Sequence, residues 1–107
     1  MKARLSPFEE TTLAAFAEAV RARFGPRLSG IELFGSRARG EGRDDSDLDV
    51  LVVIQGLSRG ERNQVIDDAA DLTLDTGLVL SPFVVDADAF SPDLPLAKEI
   101  ARDGVPL

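Results

Sequence analysis

The chain contains no cysteine, histidine, tyrosine or tryptophan. The absence of cysteine excludes disulfide bonds, thiolate nucleophiles and cysteine-based zinc sites, and it agrees with a cytoplasmic location. Without histidine, the chain also lacks the commonest zinc ligand and the usual general base. Any metal ion must therefore be held by oxygen atoms, which favours Mg²⁺ or Mn²⁺.

Long hydrophobic runs and an excess of positive charge are also missing. We find no run of about 18 apolar residues and no signal sequence, so we expect a cytoplasmic protein with no membrane contact. The net charge of −7 disfavours direct binding to nucleic acid, because contacts to phosphates dominate that affinity. A length of 107 residues with 44% hydrophobic content predicts one globular domain over residues 1–107.

Helical spacing and capping signals predict three helices. The first is expected between Ser6 and Gly25, because Ser6 and Glu9 form a capping box and apolar residues then follow at helical spacing. A second long helix is expected over 61–76, followed by a glycine. A last short helix is expected over 94–102, with Ser91-Pro92 as its cap.

Apolar runs between these helices predict strands over 28–34, 47–54 and 78–85. The second run is continuously apolar, as is typical of a central strand buried on both faces. Pro82 restricts the third strand to a sheet edge or a bulge. We therefore expect an α/β (α+β) architecture, with a small mixed sheet of three to four strands flanked by helices.

The stretch from Phe34 to Asp49 carries the candidate chemistry. It joins a Gly35-Ser36 turn, at which glycine allows close approach of a phosphate, to Asp47 and Asp49 at the second strand. Alternate residues of a strand share a face, so the two carboxylates are expected to converge. Such a pair repels unless a cation lies between them. The pattern is that of a divalent metal site that holds a nucleoside triphosphate.

Each of these features also has an ordinary structural interpretation. Gly35-Ser36 is a common turn pair in which the serine caps a short helix. The two aspartates are also compatible with a solvated strand end. Two groups are interpreted only as solvated charges: the loop residues Arg43, Asp44 and Asp45, and the helix-face residues Asp67, Asp68, Asp71 and Asp75.

Gly35-Ser36, ten further residues and then Asp47-x-Asp49 resemble the motif of DNA polymerase β-like nucleotidyltransferases. The strings GSRARG from Gly35 and SDLD from Ser46 resemble the minimal nucleotidyltransferase (MNT) group. The resemblance covers nearly the whole chain and implies the polymerase β-like nucleotidyltransferase fold.

The same resemblance implies the site and the activity. Asp47 and Asp49 would hold two Mg²⁺ ions for the transfer of AMP from ATP. Gly35 and Ser36 would bind the β- and γ-phosphates, while Arg37 and Arg39 would offset phosphate charge. Many members of the group are antitoxins that bind a helical HEPN toxin, and some adenylylate a tyrosine on it. We therefore expect the antitoxin of a HEPN/MNT pair, in a hetero-oligomer with its toxin.

One departure from the family pattern leaves a second interpretation open. The family expects a third carboxylate on the third strand, but 78–85 contains no Asp or Glu. Asp86 would substitute only if the register or a bulge at Pro82 allowed it. The alternative is a catalytically weakened antitoxin that binds its nucleotide or partner and neutralises by complex formation. A weaker alternative is a transferase for an aminoglycoside or other small molecule, which would need a second subunit to bind its acceptor.

Overall fold

The structure is a computed structural model that describes residues 4–41 and 46–107. This part of the chain contains four α-helices and four strands: α1 (Pro7–Phe24), β1 (Leu28–Phe34), α2 (Ser36–Arg39), β2 (Leu48–Ile54), α3 (Arg59–Thr76), β3 (Leu80–Asp86), α4 (Pro95–Asp103) and β4 (Val105–Pro106). Within the described ranges, no helix has the length and apolar character needed to cross a membrane. The predicted loop charges Arg43, Asp44 and Asp45 lie outside the described residues.

The strands form one mixed sheet in the order β3-β2-β1-β4. Strand β1 pairs antiparallel with β2 and β4, whereas β2 and β3 are parallel. The predicted mixed sheet, the central position of the apolar strand and the edge position of Pro82 are thus confirmed. The sequence did not predict β4, because two residues are too short to show an alternating pattern.

Capping boxes begin both long helices. Ser6 Oγ accepts from the Glu9 amide at 3.1 Å, and Glu9 Oε1 accepts from the Ser6 amide at 2.9 Å. Ser58 and Glu61 repeat this arrangement at the start of α3. The start of α1 is therefore confirmed, whereas α3 begins two residues before the predicted position because Ser58 is its N-cap.

The predicted cap of the last helix is wrong. Helix α4 begins at Pro95, and Leu94 at its N-cap makes no side-chain capping bond. Ser91 Oγ instead accepts from the Asp93 amide, in the turn that precedes the helix. A second proline, Pro95, sets the start because its fixed φ suits the first helical position.

Alternating residues of β2 divide the sheet into two packed faces. On one face, Val50 and Val52 pack in the larger core with residues of α1 and α3. On the other, Leu51 and Val53 cluster with Phe34 and with Ile100 of α4. Because side chains alternate along a strand, Asp49 belongs to the face that α4 covers. This alternation positions the candidate site.

Candidate active site

The candidate site lies where β1 ends and β2 begins. Asp49 pairs with Phe34 across the two strands, and Gly35 follows directly. Gly35 has a φ of 78°, and a Cβ atom at this position would lie 2.6 Å from Asp49 Oδ2. Glycine is therefore required by both backbone conformation and space. The structure brings the predicted turn and the second carboxylate into direct contact.

Asp47 and Asp49 differ in their surroundings. Asp47 precedes the first residue of β2 and is exposed, whereas Asp49 is half-buried within the strand. Burial raises the pKa of Asp49, and the negative charges of Asp47 and Glu99 raise it further. The ionised form of Asp49 is therefore disfavoured when no cation is bound, and a bound cation would stabilise it.

These donors fit a magnesium ion that shares its ligands with a nucleotide. Within residues 4–41 and 46–107, no group of three or more acidic side chains is arranged to hold a metal ion by itself. Mg²⁺ is usually bound by one or two carboxylates together with substrate phosphates and water. Asp47 and Asp49 would be those carboxylates, and the remaining ligands would come from the nucleotide and solvent.

Glu99 is a third acidic residue near the site, not predicted from the sequence, and its charge raises the pKa of Asp49. Glu99 lies on α4, and its Oε2 is 3.6 Å from Arg39 Nη1. Arg39 also pairs with Glu41 at 3.0 Å, so this predicted nucleotide-binding arginine is shared between two carboxylates. No motif marks Glu99. Its relevance arises only because α4 packs over the face that carries Asp49.

Arg37 lies inside the protein rather than on the surface of the loop. Its side chain is 4% exposed, and Nη2 is 2.6 Å from Glu9 Oε2 of α1. Nη1 donates to the Ser46 carbonyl at 3.2 Å. These contacts orient the guanidinium toward protein groups, and the nucleotide-binding role assigned to Arg37 stays a prediction.

Asp86 does not approach the aspartate pair. The parallel register of β2 and β3 runs without interruption past Pro82, placing Ser81 opposite Asp49 and Asp86 opposite Ile54. Five residues of strand separate these positions, about 16 Å. Asp86 Oδ1 accepts from the Asp88 amide in the turn beyond β3. Asp86 could replace the third carboxylate only through a shift in register or a bulge at Pro82, and this strand pair has neither. Asp86 is therefore not part of the site.

A model of the nucleotidyltransferase domain matches residues 13–93, which include both strands of the site. The chain belongs to the nucleotidyltransferase domain family. Family membership confirms the resemblance that the Gly-Ser turn and the paired aspartates indicated.

Two individual proteins are similar to this chain over most of its length. A protein of Methanocaldococcus jannaschii, provisionally named a protein adenylyltransferase, is 32% identical over 83 residues, 78% of this chain and 79% of its own length. A structure provisionally described as a minimal nucleotidyltransferase is 30% identical with a TM-score of 0.58, covering 92% of this chain and 94% of the other.

This chain also shares its fold with a chain in the structure of a tri-AMPylated Shewanella oneidensis HEPN toxin in complex with MNT antitoxin. That chain is 20% identical with a TM-score of 0.58, covering 91% of this chain and 69% of the other. The minimal nucleotidyltransferase fold predicted from the sequence is thus confirmed.

Proposed function

We propose that this nucleotidyltransferase transfers AMP from ATP to a hydroxyl group of a protein partner. The observation that carries the proposal is the contact between Gly35 and the Asp49 carboxylate, whose pKa is raised. Asp47 and Asp49 would bind two Mg²⁺ ions, and Gly35 and Ser36 would hold the terminal phosphates. The ions would supply charge stabilisation to the attacking and leaving oxygens.

The chain's own groups would orient the reactants. In the transfer, the acceptor oxygen bonds to the α-phosphorus, the bond from that phosphorus to the bridging oxygen breaks, pyrophosphate leaves and the hydroxyl proton passes to water. Through the bound ions, Asp47 and Asp49 would hold the triphosphate on the α4 face of the sheet. Arg39, held by Glu41 and Glu99, lies at the same face and would offset phosphate charge.

The proposed partner is a helical HEPN toxin, with a tyrosine as the acceptor and this chain as the antitoxin. Support comes from the fold shared with a chain of the AMPylated toxin complex and from the similarity to the M. jannaschii protein. The two proteins would form a hetero-oligomer in the cytoplasm, where ATP is available. A net charge of −7 favours a partner that is neutral or basic.

The alternative function is neutralisation by binding without transfer. Ser81 lies opposite Asp49, on the strand where a third carboxylate would face the pair. Serine is a poor metal ligand and a poor base at neutral pH. On this alternative, the site still binds a nucleotide, but the toxin is inhibited by the complex itself.

Labelled ATP distinguishes the two functions. The protein is incubated with [α-³²P]ATP, Mg²⁺ and the product of the adjacent gene, which should become labelled. Asp47→Ala with Asp49→Ala should abolish labelling, whereas the control pair Asp67→Ala with Asp71→Ala, on the exposed face of α3, should not. Labelling that persists in the site variant would refute the assigned roles. If that variant still neutralises the partner in cells, neutralisation depends on binding rather than on transfer.

A further inference from the structure

Glu9 and Arg37 form a buried ion pair beside the candidate site. Glu9 Oε2 and Arg37 Nη2 are 2.6 Å apart, and the two side chains are 8% and 4% exposed. Burial acts to raise the pKa of Glu9, but the Ser6 amide and Arg37 outweigh it, so the pKa lies below its usual value. Glu9 is therefore a buried anion at neutral pH.

The hydrogen bonds of Arg37 reach both sides of the site. Arg37 directly follows Ser36 in the turn, and its Nη1 donates to the carbonyl of Ser46, the residue before Asp47. Its Nη2 also donates to the Arg4 carbonyl at 3.5 Å, next to the start of α1. One guanidinium thus connects the turn, the segment before the first aspartate and the N-terminal end of α1.

We propose that Glu9 and Arg37 are positioning residues for metal and nucleotide binding. Glu9 holds the Arg37 guanidinium, and Arg37 holds Ser46 and therefore Asp47 at a set distance from the Gly35-Ser36 turn. Glu9 is buried and is therefore unavailable to a bound nucleotide. The inference rests on the proposed function and assigns Arg37 a role different from direct phosphate binding.

Stability alone gives a weak reason for this pair. Removing two charges from water costs free energy that their attraction only partly restores, so a buried ion pair is often no more stabilising than apolar residues. A loop that must present carboxylates to a metal, in contrast, benefits from outer groups that set the orientation of its ligands.

The chain contains a second pair of this kind remote from the site and more exposed to solvent. Glu61 occupies the same capping-box position in α3 that Glu9 occupies in α1. It binds Arg27 through two contacts, at 2.7 and 2.8 Å. Arg27 Nε donates to the carbonyl of Gln55, the residue after β2, so this pair lies at the opposite end of that strand from Asp49. Glu61→Gln therefore disrupts a pair with the same capping-box position, though a more exposed one, without reaching the site.

The test measures binding of Mg²⁺ with AMP-PNP by titration calorimetry. Glu9→Gln and Arg37→Gln should each lower the affinity about ten- to a hundredfold, the usual effect of losing a group that orients metal ligands. The double variant should bind with about the same affinity as the single variant that binds less tightly, because both substitutions break the same ion pair. Glu61→Gln should retain the wild-type affinity, even if it lowers the melting temperature.

Two results would overturn the proposal. If Arg37→Gln weakens binding and Glu9→Gln does not, Arg37 contacts the nucleotide directly. If Glu9→Gln and Glu61→Gln weaken binding equally, the pair acts only through stability. Should Glu9→Gln not fold, Arg37→Lys serves instead. It keeps the charge but cannot reach Glu9 and Ser46 together, so it should lower the affinity, and unchanged affinity would refute the proposal.

A second measurement separates this inference from the proposed function. If the wild-type protein does not bind Mg²⁺ with AMP-PNP, the proposed site is wrong, and the positioning role is judged from hydrogen exchange. Amides of residues 36–41 and 46–49 should then exchange faster in Glu9→Gln than in wild type, but not in Glu61→Gln. Unchanged exchange in Glu9→Gln would refute the connection itself.

Discussion

At the scale of single residues, the site depends on the backbone conformation and space at Gly35 and on the electrostatics of Asp49. Gly35 needs a positive φ for the turn, and its missing side chain leaves room for the Asp49 carboxylate. Asp49 is kept close to the turn by its pairing with Phe34. Burial, and after it the neighbouring charges of Asp47 and Glu99, raise the pKa of Asp49 and disfavour its ionised form.

Gly35→Ala should abolish nucleotide binding and destabilise the fold by more than about 1 kcal/mol, because the substitution strains φ and collides with Asp49. The matched control is Gly30→Ala in β1, where a Cβ would meet nothing within 4 Å. Calorimetry and urea unfolding of both variants test this. Wild-type affinity in Gly35→Ala would contradict the close contact.

Asp49→Asn should raise the melting temperature at pH 7 in the absence of Mg²⁺. The folded pKa of Asp49 is raised, so its ionisation weakens the fold as pH rises above the ordinary value for aspartate, about 3.9. The difference from wild type should disappear at pH 3. With Mg²⁺ and AMP-PNP at 100 times the dissociation constant, wild type should gain about 2.7 kcal/mol, and the variant should gain nothing. Thermal unfolding under these conditions measures both effects.

At the scale of elements, the two long helices begin with the same capping arrangement, but the arrangement connects each helix to a different part of the protein. In each, a serine and a glutamate form the capping box, and an arginine from elsewhere binds the glutamate. The Glu61 pair joins α3 to the segment before β1. The Glu9 pair joins α1 to the site. The capping box of α1 was predicted from the sequence, whereas the box of α3 and both arginine partners were found only in the structure.

Acid should weaken the attachment of α3. The hydrogen bond from Arg27 lowers the pKa of Glu61 to about 2, compared with about 4.3 when unfolded. The stability from this carboxylate is therefore present above the unfolded pKa and is lost as pH falls toward 2.

Glu61→Gln should thus be less stable than wild type at pH 7, with a smaller difference at pH 3. Urea unfolding at both pH values measures this, with Glu10→Gln, at an exposed position of α1, as the control. A constant difference would exclude Glu61 as a source of acid sensitivity.

At the scale of the whole molecule, the sheet is covered unequally on its two faces. The larger cluster includes residues of α1, α3 and three strands, whereas the cluster under α4 contains few fully buried residues. The candidate site lies on the face with the smaller cluster. Stability therefore comes mainly from the face away from the chemistry.

Phe16→Ala should lower the free energy of unfolding by about 3–5 kcal/mol, because it empties a fully buried position of the larger cluster. Phe8→Ala on the same helix is the control: its side chain is 55% exposed, and the change should be within about 0.5 kcal/mol. Urea unfolding compares the two. Similar losses in both variants would contradict the packing described for α1.

Local patterns in the sequence were sufficient for most of the fold. Apolar spacing, glycine stops and the capping box of α1 are signals between neighbouring residues, so they predicted the long helices and three of the strands. The last helix shows the limit of such signals, because two prolines competed for its start. Strand β4 had too few residues to carry a pattern.

By itself, the sequence determined the family and the candidate ligands, because Gly35-Ser36 and Asp47-x-Asp49 are close along the chain and their spacing is sufficient. Only the tertiary structure decided what surrounds them. It buried Arg37 against Glu9, placed Glu99 near Asp49, and put Asp86 at the far end of β3. These relations depend on the packing of separate helices and on strand register. Both are set by contacts between residues far apart in sequence, which no local pattern contains.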